Sequence, residues 1–179
     1  MIRNHHRILN IESILLLVAI SGCVSTIAVE APDQVDTNSS FQAIVIVQVD
    51  SVEEAYGQFG VLLPNGWDAD SVTYTGPNNG DMLFDESWSE YFENEYPSSP
   101  FDHWIGFQSD SAHQGNIWDI YGITVRIYTD DVIGNVDIAF LGMVSGIWNG
   151  DPCTTTVEVV ELNLEQSTWG SVKSQFGNL

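Results

Sequence analysis

The side chains able to do chemistry in this 179-residue chain are few in kind and mostly acidic, with 25 Asp and Glu against 4 Lys and Arg and 4 His. His5 and His6 lie near the start, so His103 and His113 are the two left for a folded site, and neither has a His, Cys or Glu at zinc-like spacing. Gly142-Met143-Val144-Ser145-Gly146 places its serine one position late for a nucleophile elbow. No glycine-rich phosphate loop occurs. Carboxylate pairs of the glycosidase kind arise by chance in a chain this acidic and single out no residues. These residues do not compose an enzyme, and a secreted hydrolase ranks last among the functional readings.

Two binding chemistries remain. Hard oxygen ligands gather at Asp130, Asp131, Asn135 and Asp137, and again at Asp68 and Asp70, where Ca²⁺ is the cation such oxygens prefer. No stretch matches the EF-hand loop, and solvated loop carboxylates would give the same pattern. Trp104, Trp118 and Trp148 lie in or beside segments rich in Gly, Asn and Asp, where an exposed indole flanked by hydrogen-bonding groups stacks sugars. Core packing is the competing account of each indole, because tryptophan is highly buried on average. No cofactor beyond that Ca²⁺ is implied.

The N-terminus reads as an export signal. Arg3 and Arg7 precede the apolar run Ile14 to Ile20, and Ser21-Gly22 supply small residues for cleavage. That run is too short to span a bilayer, which needs about 20 apolar residues, and Glu12 prevents its extension. Ile20-Ser21-Gly22-Cys23 resembles the lipobox of bacterial lipoproteins. The resemblance implies that residues 1–22 are removed, that Cys23 is lipidated, and that the product is held at the membrane outside the cytoplasm. Cys153 would then be a lone thiol, either a buried small hydrophobe or an exposed group. A Cys23–Cys153 disulfide is the alternative if the lipobox is fortuitous.

Removing the leader leaves 24 acids against Arg126 and Lys173, a formal charge of −22. Such a surface repels nucleic acid and anionic lipid, and leaves cations, basic envelope proteins and neutral glycans as partners. An acidic, lysine-poor skin is also an adaptation to high salt. With 44% hydrophobic and 11% aromatic residues, the chain has enough apolar mass to fold beneath that charge.

The elements that would position these groups are mainly strands. Residues 23–40 read as the lipidated cysteine and a flexible tether, and 41–179 as a single domain. Phe41–Val49 is apolar on both faces and is expected to be covered on both sides, while Phe59–Leu63, Val72–Thr75 and Met82–Phe84 are short strands bounded by turn residues. Asp85 caps a helix near 86–95, with Trp88, Tyr91, Phe92 and Tyr96 on one face and Pro97 beyond it. Tyr121–Tyr128 and Val136–Val144 alternate strongly and read as a long antiparallel hairpin tipped by Asp130–Gly134. Thr155–Leu164 adds a strand whose phase slips near Val159, and Trp169, Val172, Lys173 and Phe176 predict a C-terminal helix. Thr168-Trp169-Gly170-Ser171-Val172-Lys173 is similar to short tails of secreted bacterial proteins, a resemblance that implies no activity. The domain loosely resembles immunoglobulin-like and cohesin-like modules, implying a mainly β, antiparallel sandwich. The expected role is an envelope-anchored binding or structural module, with a carbohydrate-binding module as the alternative.

Overall fold

The computed structural model describes residues 24–49, 54–116, 118–144 and 152–161. In chain order the elements are β1 (Val24–Glu30), β2 (Gln34–Asp36), β3 (Ser40–Val49), β4 (Glu54–Ala55), β5 (Gly57–Pro64), β6 (Asp68–Thr75), β7 (Gly80–Phe84), α1 (Glu86–Glu95), β8 (Asp102–Ser109), β9 (His113–Gln114), β10 (Asp119–Tyr128), β11 (Gly134–Val144) and β12 (Cys153–Val160). Ten strands form one sheet in the order β1-β3-β10-β6-β7-β8-β5-β11-β12-β2, and β4 pairs with β9 apart from it. The sheet rolls up as a half-barrel, so β1 at one edge touches β11 and β12 while β2 at the other touches β3.

Period-2 side chains explain the interior. Ala43, Val45, Val47 and Val49 of β3 and Ile123, Val125 and Ile127 of β10 face inward, onto Phe59, Val61 and Leu63 of β5 and Ile138 and Phe140 of β11. Phe59 and Phe140 stack with ring centroids 6.1 Å apart.

The helix forms a second, smaller core on the outside of the sheet. Asp85 Oδ1 accepts from the Ser87 amide at 2.9 Å and from its hydroxyl at 2.6 Å, fixing the N-terminus. Phe92 is fully buried against Trp104, Leu141 and Met143, with Trp88, Tyr91 and Tyr96 packed around it. Gly60 lets the helix approach, since a Cβ there would lie 2.9 Å from the Phe92 ring. Truncating an aromatic buried this way costs about 3–5 kcal/mol, so α1 is held by packing and not by its own propensity.

Four expectations are corrected. The sheet is mixed and not purely antiparallel, because β12 and β2 run parallel. β10 and β11 are not a hairpin: β10 pairs with β3 and β6, whereas β11 pairs with β5 and β12, so Asp130–Gly134 crosses between layers. The supposed tether supplies both sheet edges, β1 and β2, because its Val29 and Val35 pack against the core cluster. The outer face of β3 is uncovered among the described residues, leaving Ile44 37% exposed beside Thr124. The leader, Cys23 and the C-terminal helix fall outside the described residues.

Candidate functional site

A difference in strand length creates the most distinctive concavity. β6 and β8 have eight residues each, and β7 between them has five. β7 reaches β6 through Val72–Tyr74 and β8 through Phe107–Ser109, after which Asp85 turns the chain into α1. Below that point Asp68–Ser71 and Asp102–Gly106 flank an opening with no strand of the described residues between them. The result is a cleft of about 1510 Å³ bounded by β6, β7, β8 and one face of α1.

Its chemistry is two-toned. Val72, Ile105 and Phe107 line the inside, and Leu83 and Phe84 stand at the margin 62% and 64% exposed. Asp68, Asp70 and Asp81 line one side, Glu86, Glu90 and Glu93 project from the helix, and Asp102 lies beyond them. Among the described residues Lys and Arg are absent from the lining, and the one titratable nitrogen there is on His103. Its Nδ1 is shielded from water and lacks a hydrogen-bond partner.

Local contacts hold some of these acids, and the Arg126 guanidinium lies close enough to Asp70 to offset part of its charge. Asp70 accepts from the Tyr128 hydroxyl at 3.0 Å, and Glu93 accepts from the Ser98 amide and hydroxyl, each at 3.0 Å. Seven carboxylates, five of them exposed to solvent, surround an apolar floor and give the opening a negative potential.

The residues singled out by sequence do not assemble together. Trp104 is buried beneath α1 and its Nε1 donates to the Tyr96 carbonyl at 2.8 Å, so it is a helix seat and not a sugar platform. Trp118 is 63% exposed and has φ of 75°, a strained conformation for a bulky residue. Trp148 is outside the described residues. Asp130 holds the Asp131 amide, Asp137 accepts from Thr156, and Asn135 pairs across the ladder with Glu158. No group of three His, Cys, Asp or Glu side chains is placed for a metal among the described residues. Asp68 accepts from the Ala69 amide at 2.8 Å. Cys153 is a free, half-buried thiol on β12.

Sequence reasoning missed a polar cluster at the opposite end of the fold. Tyr74 OH donates to Asp110 at 3.1 Å and also meets His113 Nε2. Ser111 Oγ lies 3.0 Å from Asp110 and 3.2 Å from the same His113 nitrogen. Burial raises the Tyr74 pKa, the Asp110 contacts adding to it, while the Ser111 hydroxyl foremost lowers that of Asp110. Ser, His and Asp here do not form a relay. Both hydroxyls converge on one ring nitrogen, and Asp110 engages hydroxyls and not the imidazole. The cluster closes over an apolar cavity of about 80 Å³ reached by Val47, Met82, Ile123 and Met143, and ties β9 to β6.

No family model matches the chain. No curated protein matches it either. Among solved structures, AvmM, which catalyses macrocyclization in alchivemycin A biosynthesis, is similar over 79% of this chain and 89% of its own at 10% identity, TM-score 0.44. The major pilin SpaD from Corynebacterium diphtheriae is similar over 75% of this chain at 8% identity, TM-score 0.48, the match covering 33% of the pilin. The collagen adhesin CNA from Staphylococcus aureus is similar over 74% of this chain and 50% of its own at 12% identity, TM-score 0.40. Likeness this distant says nothing of ligand or activity.

Proposed function

We propose that the chain is an exported, lipid-anchored, non-catalytic module that receives a cationic segment of another envelope protein in the cleft between β6 and β8. The observation that carries this reading is an apolar recess whose charged lining, among the described residues, is carboxylate. Steering by that field raises the encounter rate with a basic partner and discriminates against anionic ones. Anchoring rests on the Ile20–Cys23 lipobox, and the acyl chains on Cys23 would keep the module at the membrane surface.

The test has two arms. Mature protein should partition into detergent and lose that behaviour in Cys23→Ser, and recovery of soluble wild-type protein with an unmodified Cys23 thiol would refute the anchor. Titration with lysine-containing peptides and acidic counterparts should show binding of the former alone, weakening as salt rises. Equal binding of both, or of neither, would refute the cleft.

A glycan-binding reading is favoured by one observation. Trp118 stands exposed beside Ile120, at the end of an outer sheet face where Ile46, Gly122 and Thr75 lie in register without a charge. Saturable sugar binding lost in Trp118→Ala would promote it.

A further inference from the structure

Resting on the cleft reading, we propose that the cationic partner binds as an extended strand added to the free edge of β8 at Trp104, with alternating apolar and basic side chains. The edge is set by hydrogen-bond parity. The Gly106 amide donates to Ser89 Oγ at 2.8 Å, and its carbonyl accepts from the Asp85 amide at 2.9 Å. Gly106 thus turns both backbone groups away from β5. In an antiparallel ladder the residue two positions on does the same, so Trp104 presents its N–H and C=O to the cleft. The β7 ladder stops at Phe107, and no strand of the described residues lies beside Trp104.

Both ends of this edge are closed, which gives it a defined length. Ser89 and Asp85 hold Gly106 at the upper end. At the lower end the Asp102 amide donates to the Ser99 carbonyl at 3.1 Å and its carbonyl accepts from Ser98 Oγ at 3.0 Å. The open stretch suits roughly four residues of guest, at about 3.3 Å each.

Its width favours a strand over a helix. Where β7 lies between them, β6 and β8 are two strand spacings apart, about 9.6 Å. One strand backbone enters such a gap, whereas a helix with its side chains is about 10–12 Å across.

Side chains of an added strand would alternate between two unlike walls. Inward positions meet Val72, Ile105 and Phe84. Outward positions meet Glu86, Glu90 and Glu93, spaced i, i+4 and i+7 on one face of α1. Apolar residues satisfy the first wall and Lys or Arg the second. A second copy of this chain is a poor occupant, because beyond the leader it carries only Arg126 and Lys173, and Arg126 is already paired within β10 to both β3 and β6.

The experiment uses the mature chain in detergent and a ten-residue probe alternating lysine and valine. A second probe carries N-methyl groups on alternate residues, which removes backbone donors while keeping side chains and charge. The alternating probe should bind, slow exchange of the Trp104 amide, and lose up to about tenfold in affinity when N-methylated, as loss of the one hydrogen bond donated to the Trp104 carbonyl implies. Glu86→Gln with Glu90→Gln should weaken it by up to about tenfold at low salt and less at high salt. Equal affinity of the two probes with unchanged Trp104 exchange would overturn strand addition and leave the cleft reading standing. Failure of every lysine-containing peptide to bind would overturn both.

Discussion

Gly106 and Ser89 are in direct contact: the Gly106 amide donates to the Ser89 hydroxyl, and a Cβ on Gly106 would sit 2.5 Å from the Ser89 backbone nitrogen. Real Cβ atoms do not approach backbone so closely, and both partners are main chain or tied to it. Seating α1 on β8 therefore requires glycine at this position. The same contact closes the upper end of the cleft, so helix docking and cleft shape are coupled.

Gly106→Ala should accordingly lift the first turn of α1 and destabilise the protein by about 1–3 kcal/mol, the usual cost of overpacking. Thermal unfolding followed by tryptophan fluorescence reads this directly, since Trp88 and Trp104 lie in the disturbed core. An unchanged melting temperature would mean that the helix is not seated as described.

How much of this arrangement is legible in the sequence depends on whether its cause is local. The helix is, because Asp85, the aromatic spacing of Trp88, Tyr91 and Phe92, and Pro97 all act within a few residues. β8 is not, because Trp104 and Gly106 face the helix while Ile105 and Phe107 face the interior, which erases any period-2 signal. The supposed hairpin fails for a related reason. Thr129 Oγ1 donates to the Asp36 carbonyl at 2.9 Å and the Asn38 amide to the Asp130 carbonyl at 3.1 Å, holding the loop on a segment some 90 residues away. The acids of the cleft are visible as acids, but the cleft itself comes from the shortness of β7, a feature that only pairing defines.

Asp110 supplies a pH-dependent prediction. The Ser111 hydroxyl, foremost, holds its carboxyl below the usual carboxylate range, so the folded state favours the ionised form. A depressed folded pKa contributes stability that is present above the unfolded value and lost as pH falls through the folded one. Asp110→Asn should therefore lower the melting temperature at neutral pH, with the gap to wild type closing on acidification below 3.8. A gap constant across that range would show that Asp110 acts through packing and not through charge.

Tyr74 predicts the opposite limb. Burial raises its pKa above 10.0, so the unfolded chain ionises first and the associated stability is full below that value and lost as pH climbs through the folded one. Tyr74→Phe removes the ionisable group and should flatten this alkaline decline, at the cost of the hydrogen bonds to Asp110 and His113. The difference between the two melting curves from neutral to strongly alkaline pH is the measurement. Identical alkaline slopes would place the titration on other tyrosines.

Salt tests the charge of the whole molecule. In residues 23–179, 24 acids face two basic side chains, and seven of the acids line one cleft. Like charges at that density repel across the surface, and the repulsion falls as the Debye length shrinks from about 10 Å at 0.1 M salt to about 3 Å at 1 M. Sodium chloride should therefore raise the melting temperature of the protein. Two refinements make the result specific to the cleft. Glu86→Gln with Glu90→Gln should reduce the slope against salt, because both carboxylates sit where potentials add. Substituting two acids outside the cleft, Glu30→Gln with Asp33→Asn, should reduce it less, since those exposed residues are not among the cleft's lining. A melting temperature flat or falling with sodium chloride would show that the repulsion is already neutralised, and equal effects of the two pairs would show that the cleft is no special focus of it.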